Sequence, residues 1–599
     1  MKRQKNILIA IIAITLLGSC RGDLLDLTPY DSVASGNMWT TENLADQGVN
    51  GVYSVLRLGD SDGIQNYVGL GLIQFESYGV TADNRDQEAM MKGSLTSSSG
   101  LFSEYWKQHY EGIHRANDAI ANLPKAPMDE GKTARLIAEC KFLRAYFYYK
   151  LNMVYKGVPL YLEPIELEEC IRGRETEAKI WEVVIQDLTD CINEPNLPGR
   201  VGKSDWGRVT RSAAYALRGK AYMWTKEWAK AEADFKEVGK LGHVLFTDGA
   251  DAYKKLFKAA NEACDEMIFS VQCIGIEKYG QSLSFRYGTR SSYGGGWNTF
   301  TPNPNFVDSY EWADGKPFSW DDVIPGYTAM DPKTRAVYFM RDGMTETQQN
   351  EIVEKQGIDI TKYDPDGNVA RIRGAYDGRD PRLELSIITP YAEYTGVTAD
   401  NANDLTYVLR YPFYSDYITD KSGSDLKVAS NNFWYLFRKF VAEGAKEVPN
   451  RNYSPIDFPL IRYADVLLNL AEALNEQNDA EKMEEAISCV NLVRARAGVA
   501  LLNADGNTYT QVTGQADLRE RIRNERRWEL CGEGINYFDE LRWGTWEEKK
   551  FYPGSGQQYI WGQNVYTNSY GGDHYKVWAI PSAERAQNRN LEQNPSWVD

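Results

Sequence analysis

Histidine is the scarcest side chain with chemistry to offer: 599 residues hold four, His109, His114, His243 and His574. None forms an HExxH motif or an i,i+4 pair, and none adjoins a cysteine. Zinc hydrolysis and a cysteine–histidine nucleophile therefore lack their parts. No Walker phosphate loop and no GxSxG elbow occurs. Beyond Cys20 the cysteines are Cys140, Cys170, Cys191, Cys264, Cys273, Cys489 and Cys531, an odd number with no CxxC spacing. That excludes a zinc ribbon and favours free thiols used as small hydrophobes, with no metal site and no cofactor expected. Asp364, Asp366 and Asn368 resemble the opening of a calcium loop. Val369 stands where such a loop needs glycine, and Ala375 where it needs a bidentate acid, so a plain Asp366-Gly367 turn is expected.

Positive charge is also short: 67 Lys and Arg against 84 Asp and Glu give a net charge of -17. So acidic a surface repels phosphate backbones, and nucleic acid is not expected as a partner. An anionic polysaccharide would need a local basic patch.

Long apolar runs are missing beyond the first twenty residues. Lys2, Arg3 and Lys5 precede an apolar run from Ile7 to Leu17 broken only by Thr15. About 11 apolar residues fall short of the roughly 20 that span a bilayer, so the run reads as an export signal. Leu17-Gly18-Ser19-Cys20 resembles a bacterial lipobox. Residues 1–19 are thus expected to be a lipoprotein signal peptide, with lipid on Cys20 as the chain's tether. Cleavage removes three positive charges and no acid, taking the net charge from -17 to -20.

What is present is helical periodicity. Apolar residues recur every three or four positions over Thr41–Leu56, Phe102–Leu123, Thr133–Tyr155 and Thr176–Asn193. Over Arg211–Gly239, the residues Gly219, Tyr222, Ala231 and Phe235 match the small–aromatic–small–aromatic spacing of a tetratricopeptide hairpin. Arg218 and His243 stand where that pattern has Leu and Pro. A second hairpin is expected over Ile461–Arg496. Residues 279–327 and 358–430 read differently: turn dipeptides and aromatics among Gly, Asp and Asn, without helical period. The fold class expected is mainly α. A tetratricopeptide-like helical repeat scaffold carries long loop-rich insertions, as one domain over 20–599, helical to about 245 and loop-rich from about 246.

Several runs in family order resemble the SusD/RagB family of outer-membrane nutrient-binding lipoproteins. They include Phe458-Pro459-Leu460-Ile461-Arg462-Tyr463-Ala464-Asp465, Asn491-Leu492-Val493-Arg494-Ala495-Arg496-Ala497-Gly498 and Asn524-Glu525-Arg526-Arg527-Trp528-Glu529-Leu530. Tyr537-Phe538-Asp539-Glu540-Leu541-Arg542-Trp543-Gly544, Asn590-Leu591-Glu592-Gln593-Asn594-Pro595 and Gly378-Arg379-Asp380-Pro381-Arg382-Leu383 extend the likeness over nearly the whole chain. The charged residues of these runs are expected to make interhelical ion pairs and caps rather than an active site. The acidic run that follows the lipidated cysteine in some relatives is replaced here by Arg21 and Gly22.

The resemblance implies a non-enzymatic, lipid-anchored, outward-facing protein. It would capture an oligosaccharide or polysaccharide and deliver it to a TonB-dependent, SusC-like β-barrel. A peptide-uptake lipoprotein, a helical glycoside hydrolase and a purely structural repeat adaptor are the alternatives. Pyranose C–H faces stack on Trp and Tyr, and sugar hydroxyls pair with Asp, Asn and Arg. Both types converge on loops at Tyr293, Trp297 and Asn298, with three intervening glycines, and at Asp83, Asn84 and Arg85. These six are the expected ligand-binding residues, gathered on one concavity. Trp312 and Trp320 are expected to be buried. Tyr391, Tyr394 and Tyr414 are the next candidates for a platform.

Overall fold

The computed structural model describes residues 38–57, 67–414 and 421–598. The signal segment, Cys20 and the stretch 23–29 lie outside these residues. Helices α1 (Glu42–Tyr53), α2 (Gly100–Asn122), α3 (Glu130–Tyr155), α4 (Glu177–Asn193), α5 (Arg211–Thr225) and α6 (Trp228–Lys240) form the first part of the chain. Their starts are written in the sequence: Thr41, Asp129, Thr176 and Thr210 each accept a first-turn N–H with the side chain.

From α2 to α6, each helix packs against the next. Two glycines set how closely. A Cβ at Gly219 would lie 2.5 Å from the Phe235 ring, and one at Gly112 would lie 2.3 Å from the Phe147 ring. Each glycine thus opens a slot for an aromatic of the partner helix, the device read at Gly219 and repeated between α2 and α3. Arg218, where the hairpin pattern has leucine, ties three helices together. It makes a bidentate pair with Asp234 on α6 at 2.7 and 2.8 Å and bonds the Thr189 hydroxyl on α4 at 2.8 Å.

The second hairpin, α7 (Tyr463–Asn475) and α8 (Ala480–Ala497), packs α7 onto α6 and so continues the same array. α9 (Gln515–Leu530) packs on α7, and α10 (Asn536–Trp543) follows. Between α6 and α7 the chain forms short helices and turns, with strands of at most five residues among those described. Trp320 is buried in this region, as expected, while Trp312 is only half-buried. Asp364 accepts the Asp366 N–H at 3.2 Å in a plain turn. Among the described residues no disulfide forms; Cys140, Cys191, Cys273, Cys489 and Cys531 are buried free thiols, whereas Cys170 is exposed.

The charged family runs converge on a buried ion network. Arg462 meets Glu266, Glu529 and Glu533 at 2.9, 2.6 and 2.7 Å. Arg382 meets Asp380, Glu525 and Glu529 at 2.6, 2.6 and 3.2 Å. Arg496 pairs with Glu266 and Glu529, Arg494 with Glu311 and Glu525, and Lys439 with Glu533. A neighbouring set joins Asp465 to Lys220 and Arg526, and Arg526 to Asp539. Burial alone would raise the Glu529 carboxyl, but Arg496, Arg462 and Arg382 outweigh it and hold the group below its ordinary range. These ions clamp the loop-rich region to the helices.

Candidate functional site

The two predicted loop clusters lie far apart in sequence and meet through strand pairing. Strand β1 (Ala82–Asn84) runs antiparallel to β2 (Phe300–Pro302), with Asn84 opposite Phe300. Just beyond, the Arg85 N–H donates to the Thr299 carbonyl at 2.7 Å, and Arg85 Nη1 donates to the Trp297 carbonyl at 2.9 Å. Arg85 and Trp297 are therefore neighbours.

Trp297 is 38% exposed, a large fraction for an indole. Its inner face rests on Phe285, ring centroids 4.9 Å apart, with the Arg286 guanidinium 5.5 Å from its centroid. The glycines before it are needed for the shape of the loop. Gly294 and Gly295 adopt φ of +68° and +73°, the left-handed region that glycine enters without strain. A Cβ on Gly296 would lie 2.4 Å from the Gly288 backbone. The loop is pinned as well as bent. Arg451 Nη1 donates to the Gly294 and Gly295 carbonyls at 2.9 and 3.3 Å, and Asn401 accepts the Gly294 N–H at 2.7 Å. Tyr293 is half-buried, its hydroxyl donating to the Pro449 carbonyl at 3.4 Å.

Three of the six predicted residues lie beneath this surface instead of on it. Asp83 is buried, with one oxygen 2.9 Å from Lys550 Nζ and the other accepting from Asn303 at 2.7 Å. Asn84 is buried, and its amide oxygen takes the Asp86 N–H at 2.9 Å. Asn298 is fully buried and accepts the Ala429 N–H at 3.0 Å. Read as exposed loop, these polar residues proved to be the strand β1 and the floor under Trp297. Their carbonyls and carboxylates are spent on protein. Trp297, Tyr293 and Arg85 remain available to a ligand.

Sequence reading missed the groups that surround the indole. Phe285 supports it, Arg451 arrives from a distant segment to hold its loop, and Arg290, exposed at the start of that loop, meets the Lys427 backbone. Only Arg290, inside the same glycine-rich run, carried a local signal. The alternative platform residues are not available: Tyr391 and Tyr394 are buried with hydroxyls bonded to the Phe339 and Ala442 carbonyls, and Tyr414 is half-buried under Arg341.

Larger cavities open elsewhere. One of about 680 Å³ is lined by Arg341, Arg373, Glu384, Tyr391 and Arg438, and one of about 500 Å³ by Trp106, Tyr110, Tyr161 and Leu167. The surface at Trp297 is an open ledge by comparison. Among the described residues no group of three or more His, Cys, Asp or Glu side chains is placed to hold a metal ion.

A helical-hairpin array clamped by buried ions and carrying a loop-built aromatic ledge defines a tetratricopeptide-like binding scaffold. The chain belongs to the SusD family, whose model matches residues 265–597. A second family model, described as starch-binding and associating with the outer membrane, matches residues 25–223. A SusD-like protein of Formosa agariphila is 25% identical over 563 residues, 91% of this chain and 90% of its own. A SusD-like carbohydrate binding protein of Bacteroides fragilis superposes with a TM-score of 0.70 at 25% identity, covering 93% of this chain and all of its own. A laminarin binding SusD-like protein superposes with a TM-score of 0.61 at 20% identity, again covering 93% of this chain and all of its own.

Proposed function

We propose that this protein captures glycan on the Trp297 ledge and hands it to a TonB-dependent, SusC-like β-barrel in the outer membrane, to which lipid on Cys20 tethers it facing outward. The reading is of a binding protein, and no reaction is assigned to it. The observation that carries it is the indole itself. Trp297 stands on a loop fixed by Arg451, Asn401 and Arg85, so its exposed face is preorganised. Such a ring offers a flat apolar face, fixed in place, that a ligand can cover. A pyranose face does so without asking for catalytic groups. The carbohydrate-binding and laminarin-binding proteins of the same fold support the choice of ligand.

Trp297→Ala tests it. With the ligand found on a glycan array, calorimetry should show binding weakened by about 1–3 kcal/mol, as for aromatic anchors elsewhere. The melting temperature should stay put. A variant that melts much lower yet still binds would make Trp297 a packing residue.

A further inference from the structure

The surroundings of the ledge narrow the class of glycan, taking the Trp297 reading as given. In an acidic chain most guanidiniums are matched to carboxylates, as the buried network illustrates. Among the described residues, Arg290, Lys427 and Arg451 near the Trp297 loop are not. Arg290 is exposed, and among the described residues its side chain has no carboxylate partner. Lys427 is exposed and joined to Arg290 through the backbone, its carbonyl accepting the Arg290 N–H at 3.1 Å; among the described residues it too has no ion pair. Arg451 spends Nη1 on two loop carbonyls and lies 4.3 Å from the Phe285 centroid, again with no carboxylate among those described. Among the described residues Arg85 has one ion pair, at 3.1 Å to Asp86, whose side chain is 78% exposed. Such a pair contributes little and opens readily to a competing anion. Among the described residues, Asp400 stands next to the Asn401 that holds Gly294. Asp400 already accepts from the Thr398 hydroxyl at 2.5 Å and the Ala402 N–H at 3.0 Å.

Arg290, Lys427, Arg451 and Arg85 thus lie on or next to the loop that carries Trp297, on a chain whose net charge is -17. Like charges held together lower each other's affinity for the proton, and the Arg290 guanidinium is pushed down by burial, then by Arg85 and Arg451. An arriving anion relieves that repulsion. Guanidiniums hold carboxylate and sulfate oxygens with charge-assisted bonds.

We propose that the ledge takes an acidic glycan. One sugar ring would lie on Trp297, and its carboxylate or sulfate, or that of the adjoining sugar, would meet Arg290, Arg451, Lys427 and Arg85. A neutral glucan would leave these charges unanswered.

Calorimetry on the intact protein with three probes tests this: oligogalacturonate for carboxylate, chondroitin sulfate oligosaccharide for sulfate, and laminarin oligosaccharide for a neutral glucan. Each is run at about 50 and about 300 mM NaCl, bracketing a large change in screening. The expected result is binding of one or both acidic probes, weakening with salt. The arm that binds identifies carboxylate or sulfate. Arg290→Ala combined with Lys427→Ala should lower acidic-probe affinity about ten-fold or more, the scale of charge-assisted hydrogen bonds lost. Both side chains are exposed, so melting should not change. Binding of laminarin alone, insensitive to salt and to the double variant but lost in Trp297→Ala, would overturn the acidic class and leave the ledge standing. Binding of any probe undiminished in Trp297→Ala would overturn the ledge itself. Failure of both acidic probes to bind would also overturn the proposal.

Discussion

Glu529 is the acid on which the buried network turns, and Glu529→Gln probes it with almost no change of volume. Its carboxylate is fully buried, 2.6 Å from Arg462 and 3.2 Å from Arg382, and it also pairs with Arg496. Removing one partner of a buried pair typically costs about 3–5 kcal/mol, because the other charges stay buried. Here each cation keeps another acid: Arg462 keeps Glu266 and Glu533, Arg382 keeps Asp380 and Glu525, and Arg496 keeps Glu266. The loss should therefore sit at the low end, about 3 kcal/mol. For roughly 550 folded residues the unfolding entropy is about 1.2 kcal/mol/K, so the midpoint should fall by only about 2–3 °C. Scanning calorimetry resolves that. The control is Lys179→Gln, which breaks an exposed pair with Glu182 at 2.7 Å and should leave the midpoint unchanged. The pH dependence follows from the sign of the shift. Glu529 is held below its ordinary range, so its contribution is complete above about pH 4.3, the unfolded value, and fades as pH falls toward the folded one. The gap between wild type and variant should be constant from about pH 5 to 8 and narrow in stronger acid. A variant that melts with the wild type at neutral pH would refute the idea that this network clamps the fold.

Asp83→Ala should destabilise rather than merely weaken binding, by about 3 kcal/mol, since it leaves the buried Lys550 ammonium without its acid; Arg85→Ala, which removes a half-buried hydrogen bond to the Trp297 carbonyl, should cost only about 1 kcal/mol. Glu262→Gln should raise the melting temperature at pH 8 and not at pH 4.5. Burial first, then Asp457, lifts Glu262 to about 8, so the folded state holds a proton that the unfolded state has released, and stability falls as pH rises between the two values. The Asp457 N–H that Glu262 accepts at 3.1 Å has an equivalent acceptor in glutamine. Cys20→Ala should abolish acylation, read by labelled palmitate, and release the protein from the outer-membrane fraction; unchanged labelling would place the lipid elsewhere.

The scaffold was legible because its signals are local. A period of three to four and small residues opposite aromatics both lie within one helix or one hairpin. The ionic residues of the family runs were legible as pairs, because Arg462, Asp465, Glu525, Arg526 and Glu529 stand on faces that must be buried. Even the departure at Arg218 has a local cause, since Asp234 on the next helix answers it.

The ledge was half legible for the opposite reason. Tryptophan after three glycines is a local signal, and Trp297 is exposed as such a loop suggests. Asp83, Asn84 and Asn298 carried the same polar signature as ligand residues, but the pairing of Ala82–Asn84 with Phe300–Pro302 turned them inward. A three-residue strand whose partner lies hundreds of positions away leaves no period to read. The cations tell the same story. Arg451 and Lys427 belong to segments with no mark of binding, and only folding sets them against Arg85 and Arg290. Specificity built this way can change by one surface substitution without touching the scaffold. The buried ions fix where the loops sit, and the loops decide which charges surround the indole.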